Sequence, residues 1–261
     1  MIHIYLYWVK RMDKQVLYAF LLTTIAGLST MIGCLFIFLP KRTKKVIIGS
    51  LSFASAVMLT VSFTDLLPES YGMLSEEFQL FPCIIIILIC MNIGVIFSFL
   101  IDKYLPDGVG ENGLYRVGII SMLAIILHNI PEGMATFMAG NTDIHLGIAL
   151  TFAIALHNIP EGISISIPIY YATGSKRKAL WYTFISGLSE LFGAIITYLF
   201  LKPFITDRLM GYLFALIAGI MLHISLFELL PTAWKYKCKK ITVFYFIIGF
   251  LFILLNHFIF Q

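Results

Sequence analysis

The six residues His-Asn-Ile-Pro-Glu-Gly occur twice in the chain, at 128–133 and at 157–162. Both copies lie in the middle of long apolar runs, where ionisable side chains are rare. At the depth of a lipid bilayer one such side chain costs at least about 2.5–3.5 kcal/mol. A bound cation is the simplest compensation for that cost, so the repeated hexapeptide predicts a metal-binding site inside the membrane.

Within each copy the histidine and the glutamate are four residues apart, so they project from the same face of a helix. His128 therefore projects with Glu132, and His157 with Glu161. Imidazole, carboxylate and amide oxygen together suit a borderline divalent cation such as Zn²⁺, Fe²⁺ or Mn²⁺. The amides that flank this face belong to Asn129 and Asn158. Hydrogen bonding between two polar helices, without a metal, is the alternative interpretation.

The prolines of the two copies, Pro131 and Pro160, remove backbone donors and predict a kink in each helix. A turn centred near 142–143 would place the two histidines at one level. Straight helices would then leave the two glutamates about 12 Å apart in depth. If both glutamates share a metal, kinks or stagger must close that gap.

Three further acids and one methionine are candidates for the same pathway. Glu190 lies in mid-span among small residues, and we predict a third carboxylate of the metal cluster there, against a neutral hydrogen-bonded acid as the alternative. Asp65 and Glu228 precede prolines at the ends of apolar runs, where they either line the mouths of a pathway or lie at the membrane interface. Met58 offers a soft thioether, although a methionine in an apolar helix is more often a packing residue.

The composition is that of a membrane protein with several spans. Of the 261 residues, 60% are hydrophobic and 12% are charged, with a mean hydropathy of +0.94. Soluble domains carry about 25% charged residues. The net charge of +4 comes from lysines and arginines in loops, which indicates a lipid bilayer rather than nucleic acid as the partner. The four cysteines are scattered and predict neither disulfides nor a thiolate metal site.

A helix that crosses the hydrocarbon core needs about 20 apolar residues. The chain contains eight such segments, and we predict one all-α transmembrane domain over residues 1–261, with translation starting at Met1 or at Met12. The predicted spans are 15–39, 46–67, 81–101, 117–140, 145–171, 179–201, 208–230 and 241–260. Most lysines and arginines follow spans 1, 3, 5 and 7, which predicts an inner-membrane protein with both termini outside the cytoplasm.

Spans 2 and 7 resemble each other in sequence. When 54–70 is aligned with 217–233, Met58 meets Met221, Asp65 meets Glu228, and both segments end in Leu-Leu-Pro. The two spans run in opposite directions, as do the two that carry the hexapeptides. The predicted plan is therefore 3+2+3, with inverted repeats around a central pair of helices, which is an architecture of transporters.

These residues resemble the ZIP (Zrt/Irt-like) family of metal transporters. The paired hexapeptides carry the resemblance, together with the segments GSLSFASAVML, ATGSKRKA, SGLSELFGA and AGIMLHIS, which are similar to a bacterial subgroup of the family. The resemblance covers about 15–256. It implies import of zinc into the cytoplasm, with iron, manganese and cadmium also carried, and a bundle that moves against a static part that forms a homodimer.

The resemblance also implies a binuclear site between helices 4 and 5, with the two glutamates bridging. One metal would be held by His128, Glu132, His157 and Glu161, with Met58 nearby. The second would be held by Asn129, Glu132, Asn158, Glu161 and Glu190. The chain departs from many relatives in two places: the loop 102–116 has no histidine, and Phe227 precedes Glu228 where some relatives have a metal-binding histidine.

Two other functions use the same residues. An intramembrane zinc-dependent hydrolase would activate water at a metal with one open position. A metal sensor would bind without flux and would need a cytoplasmic partner domain. Inverted repeats and acids at both mouths favour the transporter, and we predict that the chain is not an enzyme.

Overall fold

The computed structural model describes residues 14–38, 43–104, 113–201 and 205–260, and in these residues the chain is helical without a strand. The prediction of eight membrane-length helices is confirmed. They are α1 Lys14–Phe38, α2 Lys44–Ser75, α3 Leu80–Tyr104, α4 Leu114–Thr142, α5 Ile144–Thr173, α6 Lys176–Phe200, α7 Asp207–Lys235 and α8 Lys239–Ile259. The two alternative starts, Met1 and Met12, and most of the loop 102–116 lie outside the described residues.

Helices α2 and α7 run further than predicted, past the Leu-Leu-Pro at which both were expected to end. Each contains a wide π-helical turn just before that point, at Ser62–Leu66 in α2 and at Ile224–Leu229 in α7. The proline then falls in the first turn of the continuing helix, where its missing N–H costs little. The two segments that resemble each other in sequence therefore have the same local structure.

The eight helices pack in two groups. Helices α1, α4, α5 and α6 pack against one another, and α4 and α5 lie side by side along their length. In the second group, α3 packs along α7 and α8 packs along α2, while α2 also contacts α5. Helices α3 and α8 keep many large apolar side chains exposed, as expected of surfaces that face lipid tails.

Close helix contacts occur at glycines, as is usual where membrane helices pack. A Cβ atom at Gly27 of α1 would overlap the carbonyl oxygen of Gly187 in α6, and a Cβ at Gly187 would overlap that of Gly27. Gly94 of α3 meets the carbonyl of Leu216 in α7 in the same way. Only a residue without a side chain permits backbones to approach so closely.

A second pair of contacts reveals a repeat that the sequence analysis missed. Gly33 of α1 packs on the carbonyl of Ile159 in α5, and Gly193 of α6 packs on the carbonyl of Ile130 in α4. Gly33 and Gly193 are separated by the same number of residues as Gly27 and Gly187 of the α1–α6 contact. The sequences around them, IAGLSTMIG and ISGLSELFG, are similar. The 3+2+3 plan stays a prediction, with which this pairing agrees.

Helices α4 and α5 are joined by Asp143 alone. Its carboxylate accepts the backbone N–H groups of His145 at 2.7 Å and Leu146 at 3.1 Å, which caps α5. These two hydrogen bonds stabilise the charged form and lower the pKa of Asp143 below its usual value. The turn therefore falls at the centre that places the two histidines at one level, which sets the relative depth of the two hexapeptides.

Candidate metal centre

The two hexapeptides face each other where α4 and α5 pack. The rings of His128 and His157 lie with their centroids 6.2 Å apart, as expected for histidines at one level. Both helices continue through Pro131 and Pro160 without interruption. The predicted kink angles stay a prediction.

The imidazoles and the carboxylates of the two copies form one buried cluster. Nε2 of His128 lies 3.1 Å from Oε1 of Glu132 and 3.4 Å from Oε1 of Glu161. Nε2 of His157 lies 2.9 Å from the same oxygen of Glu132. One histidine thus reaches both glutamates, so the crossing of the helices closes the depth gap that straight helices would leave. Ligand atoms of His128, Glu132 and His157 all lie within 4.8 Å of one another, as is required of groups that share a metal ion.

The asparagines of the hexapeptides are anchored to the neighbouring helices. The amide nitrogen of Asn129 donates to the carbonyl oxygen of Ser186 in α6 at 3.3 Å. The amide nitrogen of Asn158 donates to the carbonyl oxygen of Ala26 in α1 at 3.0 Å. Because the NH₂ groups are held in this way, the amide oxygens are fixed in orientation and remain available as ligands.

Glu190 of α6 is fully buried and lies beside the second hexapeptide, where it accepts a short hydrogen bond from the amide of Asn158. Gly133 permits this approach, because a Cβ there would overlap the backbone carbonyl of Glu190.

A set of buried oxygens around these side chains has no hydrogen-bond partner among the described residues. They are Oδ1 of Asn129 and Asn158, Oε2 of Glu132 and Glu190, and both carboxylate oxygens of Glu161.

Buried acceptors without donors are costly, and a bound cation would satisfy them. The donor set combines imidazole and carboxylate groups at one end with oxygens only at the other. When the similar sequences of α1 and α6 are aligned, Thr30 of α1 corresponds to Glu190 of α6. Thr30 donates its hydroxyl to the carbonyl of Gly27 at 2.8 Å. Because α1 has a threonine where α6 has a glutamate, only α6 adds a carboxylate beside the hexapeptides.

The remaining predicted residues belong to helices α2 and α7. Met58 is fully buried in the apolar core, and its role as a ligand stays a prediction. Asp65 lies in the π-turn of α2, with 19% of its side chain exposed, and contacts His257 of α8. Glu228 lies in the π-turn of α7, within electrostatic range of Asp102 of α3.

The sequence analysis missed two of these partners. Asp102 also forms an ion pair with Arg116 of α4, with an N–O distance of 2.8 Å. Helices α3 and α8 contain a repeat that relates these two residues. Gly94 of α3 packs on a carbonyl of α7, and Gly249 of α8 packs on the corresponding carbonyl of α2. Asp102 and His257 follow these two glycines at the same distance along the chain. An alignment of the sequences of α3 and α8 would therefore have paired Asp102 with His257.

Eight apolar helices around a buried cluster of histidine and glutamate define a membrane protein that handles metal ions. Comparison with known proteins places it more narrowly. A family model described as "ZIP Zinc transporter" matches residues 107–257. The zinc transporter ZupT of Streptococcus mutans is 39% identical over 254 residues, which covers 92% of this chain and 96% of that protein.

Other zinc transporters named ZupT match equally well. The one from Lysinibacillus sphaericus is 41% identical over 252 residues, covering 89% of this chain and 94% of the relative. The one from Clostridium perfringens is 40% identical over 266 residues, covering 90% of this chain and 93% of the relative. The chain belongs to the ZIP family and is similar to its ZupT members. Membership of a transporter family decides against the hydrolase and in favour of divalent metal transport.

Proposed function

We propose that the chain carries Zn²⁺ across the membrane through the centre between α4 and α5. The observation that supports this most directly is the buried cluster of His128, Glu132 and His157, whose ligand atoms lie within 4.8 Å of one another. The relatives named ZupT are zinc transporters, and imidazole with carboxylate is a ligand set that suits zinc. No cysteine is among the proposed ligands, so the ion is held loosely enough to be released.

The proposed centre holds two ions. His128, His157 and the two glutamates bind the first, with Met58 on the adjoining helix. The second is bound by oxygens alone, from the two glutamates and from Asn129, Asn158 and Glu190. Oxygen-only coordination is less selective for zinc than coordination that includes imidazole, so Fe²⁺, Mn²⁺ and Cd²⁺ are further substrates in this proposal.

The proposed direction is into the cytoplasm of a bacterial inner-membrane protein with both termini outside. Glu132 and His157 are 6% and 5% exposed, whereas His128 and Glu161 are 1% exposed. The more exposed pair lies within electrostatic range of Glu69, which follows Asp65 on α2. These observations support an arrangement in which the centre is connected to the Asp65 mouth, and Glu228 lies at the opposite, cytoplasmic mouth.

The chain is proposed to act as a single domain over residues 1–261 and to assemble as a homodimer in the lipid bilayer. Helices α3 and α8 leave long apolar faces exposed on the outside of the second helix group, for example at Ile89, Ile93 and Leu251. Such faces suit either lipid or the same surface of a second copy. Cross-linking of the reconstituted protein distinguishes the two.

Zinc uptake into liposomes that contain the purified protein tests the proposed function. With an indicator dye inside, we expect uptake that saturates with external Zn²⁺ and is absent from empty liposomes. A protein that binds Zn²⁺ but supports no flux would favour a sensor. Flux without any added organic substrate separates transport from hydrolysis.

The substitution Glu190→Gln tests the oxygen-rich end of the centre. Glutamine can still accept the hydrogen bond from Asn158, so the fold is retained while one negative charge beside the second ion is lost. We expect the central cluster to bind one Zn²⁺ ion fewer per chain, and the apparent affinity for uptake to weaken about tenfold. Equilibrium dialysis measures the stoichiometry. An unchanged stoichiometry in the variant would remove Glu190 from the ligand set.

A further inference from the structure

A second group of metal-ligating side chains lies outside the central cluster. Nδ1 of His257, in the last turns of α8, is 3.1 Å from Oδ1 of Asp65 in the π-turn of α2. The two side chains are 30% and 19% exposed, so neither is enclosed by the protein. The amide of Asn256 donates to the carbonyl of Ala153 in α5 at 3.4 Å, which holds this end of α8 in place.

The pair lies at one end of a line of charged groups that leads to the central cluster. Glu69 follows Asp65 by one helical turn on α2, and the two carboxylates are within electrostatic range of each other. Both Asp65 and Glu69 are in turn within range of His157. A cation at Asp65 is therefore within electrostatic range of both the Glu69 carboxylate and the buried His157 imidazole.

The opposite end of the molecule has an equivalent pair with different chemistry. The repeat aligns Asp65 with Glu228 and His257 with Asp102, and the carboxyls of Glu228 and Asp102 are also within electrostatic range of each other. There the guanidinium of Arg116 pairs with Asp102 at 2.8 Å, so a permanently charged side chain neutralises this carboxylate. The Asp65 end has an imidazole instead, which as the neutral ring is a metal ligand.

We propose that Asp65 and His257 form a loading site for a borderline divalent cation such as Zn²⁺, which passes from there to Glu132 and His157. This deepens the proposed function and rests on it. One ring nitrogen and one carboxylate supply two protein ligands, and water completes the shell. Such a site binds weakly compared with a four-ligand site, as a site that must hand on its ion should.

Binding measurements test the site independently of transport. Zinc chloride is titrated by calorimetry into purified protein that carries Glu132→Gln and Glu161→Gln, so that the central cluster is disabled. We expect one weak ion to remain per chain. Adding His257→Gln should abolish it, whereas adding His145→Gln, at an exposed histidine where α5 begins, should leave it unchanged. Absence of the residual ion, or its persistence in the His257→Gln protein, would overturn the proposal.

Uptake kinetics provide the second test, on protein with an intact central cluster. Asp65→Asn and His257→Gln should each raise the KM for Zn²⁺ about fivefold and leave the maximal rate close to wild type, because loading and not passage is weakened. The matched controls are Glu76→Gln and His145→Gln, both at exposed positions. Asp65→Asn carries the test if His257→Gln does not fold. An unchanged KM in a folded variant contradicts the loading site, whereas a wild-type protein without flux contradicts the proposed function itself.

Discussion

Replacing Glu132 and Glu161 together by glutamine is expected to lower zinc uptake into liposomes at least about 100-fold. One oxygen of Glu132 is approached by both imidazoles, at 3.1 Å and 2.9 Å, and Glu161 lies 3.4 Å from His128. These two side chains supply the negative charge closest to the proposed ions. A divalent cation buried among neutral ligands alone would lack charge compensation, so the double variant should neither bind zinc in the central cluster nor pass it.

Glutamine is the informative replacement because it has the shape of glutamate and keeps a hydrogen-bonding group beside each imidazole. The thermal unfolding midpoint of the double variant in detergent should therefore stay near that of the wild type. Glu76→Gln, which removes one exposed carboxylate in the turn after α2, is the control for the change of charge and should transport normally. Wild-type flux through a folded double variant would place the pathway elsewhere in the molecule.

The second large effect is expected from a single methyl group at Gly133. A Cβ atom at this position would overlap the backbone carbonyl of Glu190, so Gly133→Ala must push α6 away from α4. Overpacking of this kind costs about 1–3 kcal/mol in free energy of unfolding. The displacement also moves Glu190 away from the hexapeptides. We expect a lower unfolding midpoint together with loss of the second bound ion and of most of the uptake.

Gly72 provides the matched control for this substitution. It lies in the last helical segment of α2, and a Cβ there would meet nothing within 4 Å. Gly72→Ala should leave uptake unchanged and should not lower the unfolding midpoint, because alanine is the better helix former. If Gly133→Ala behaved like Gly72→Ala, the close approach of α4 and α6 would not be what positions Glu190.

The two helices that flank the central pair are built alike but contribute differently. Asn129 and Asn158 are anchored to equivalent carbonyls, at Ser186 in α6 and at Ala26 in α1. Only α6 then adds a carboxylate, because Thr30 stands in α1 where Glu190 stands in α6. The difference between Thr30 and Glu190 places the carboxylate beside the hexapeptides on the α6 side of the α4–α5 pair.

Much of this protein could be predicted from its sequence, because membranes impose simple rules. Eight apolar segments of sufficient length predict eight helices, since backbone polar groups in lipid must be satisfied within the helix. The four-residue spacing of histidine and glutamate places both on one helical face. The spans predicted at 117–140 and 145–171 also bracket the turn, which the structure places at Asp143.

Other features depended on how the helices cross and could not be obtained from spacing along one helix. The sequence left the two glutamates separated in depth, and only the crossing of α4 and α5 brings His128 to both. It placed Asp65 and His257 in different helices with no relation between them, whereas the packing of α8 on α2 makes them neighbours. Periodicity within a helix fixes which side chains share a face, but distances between helices depend on contacts such as Gly133 on Glu190, which form only in the folded protein.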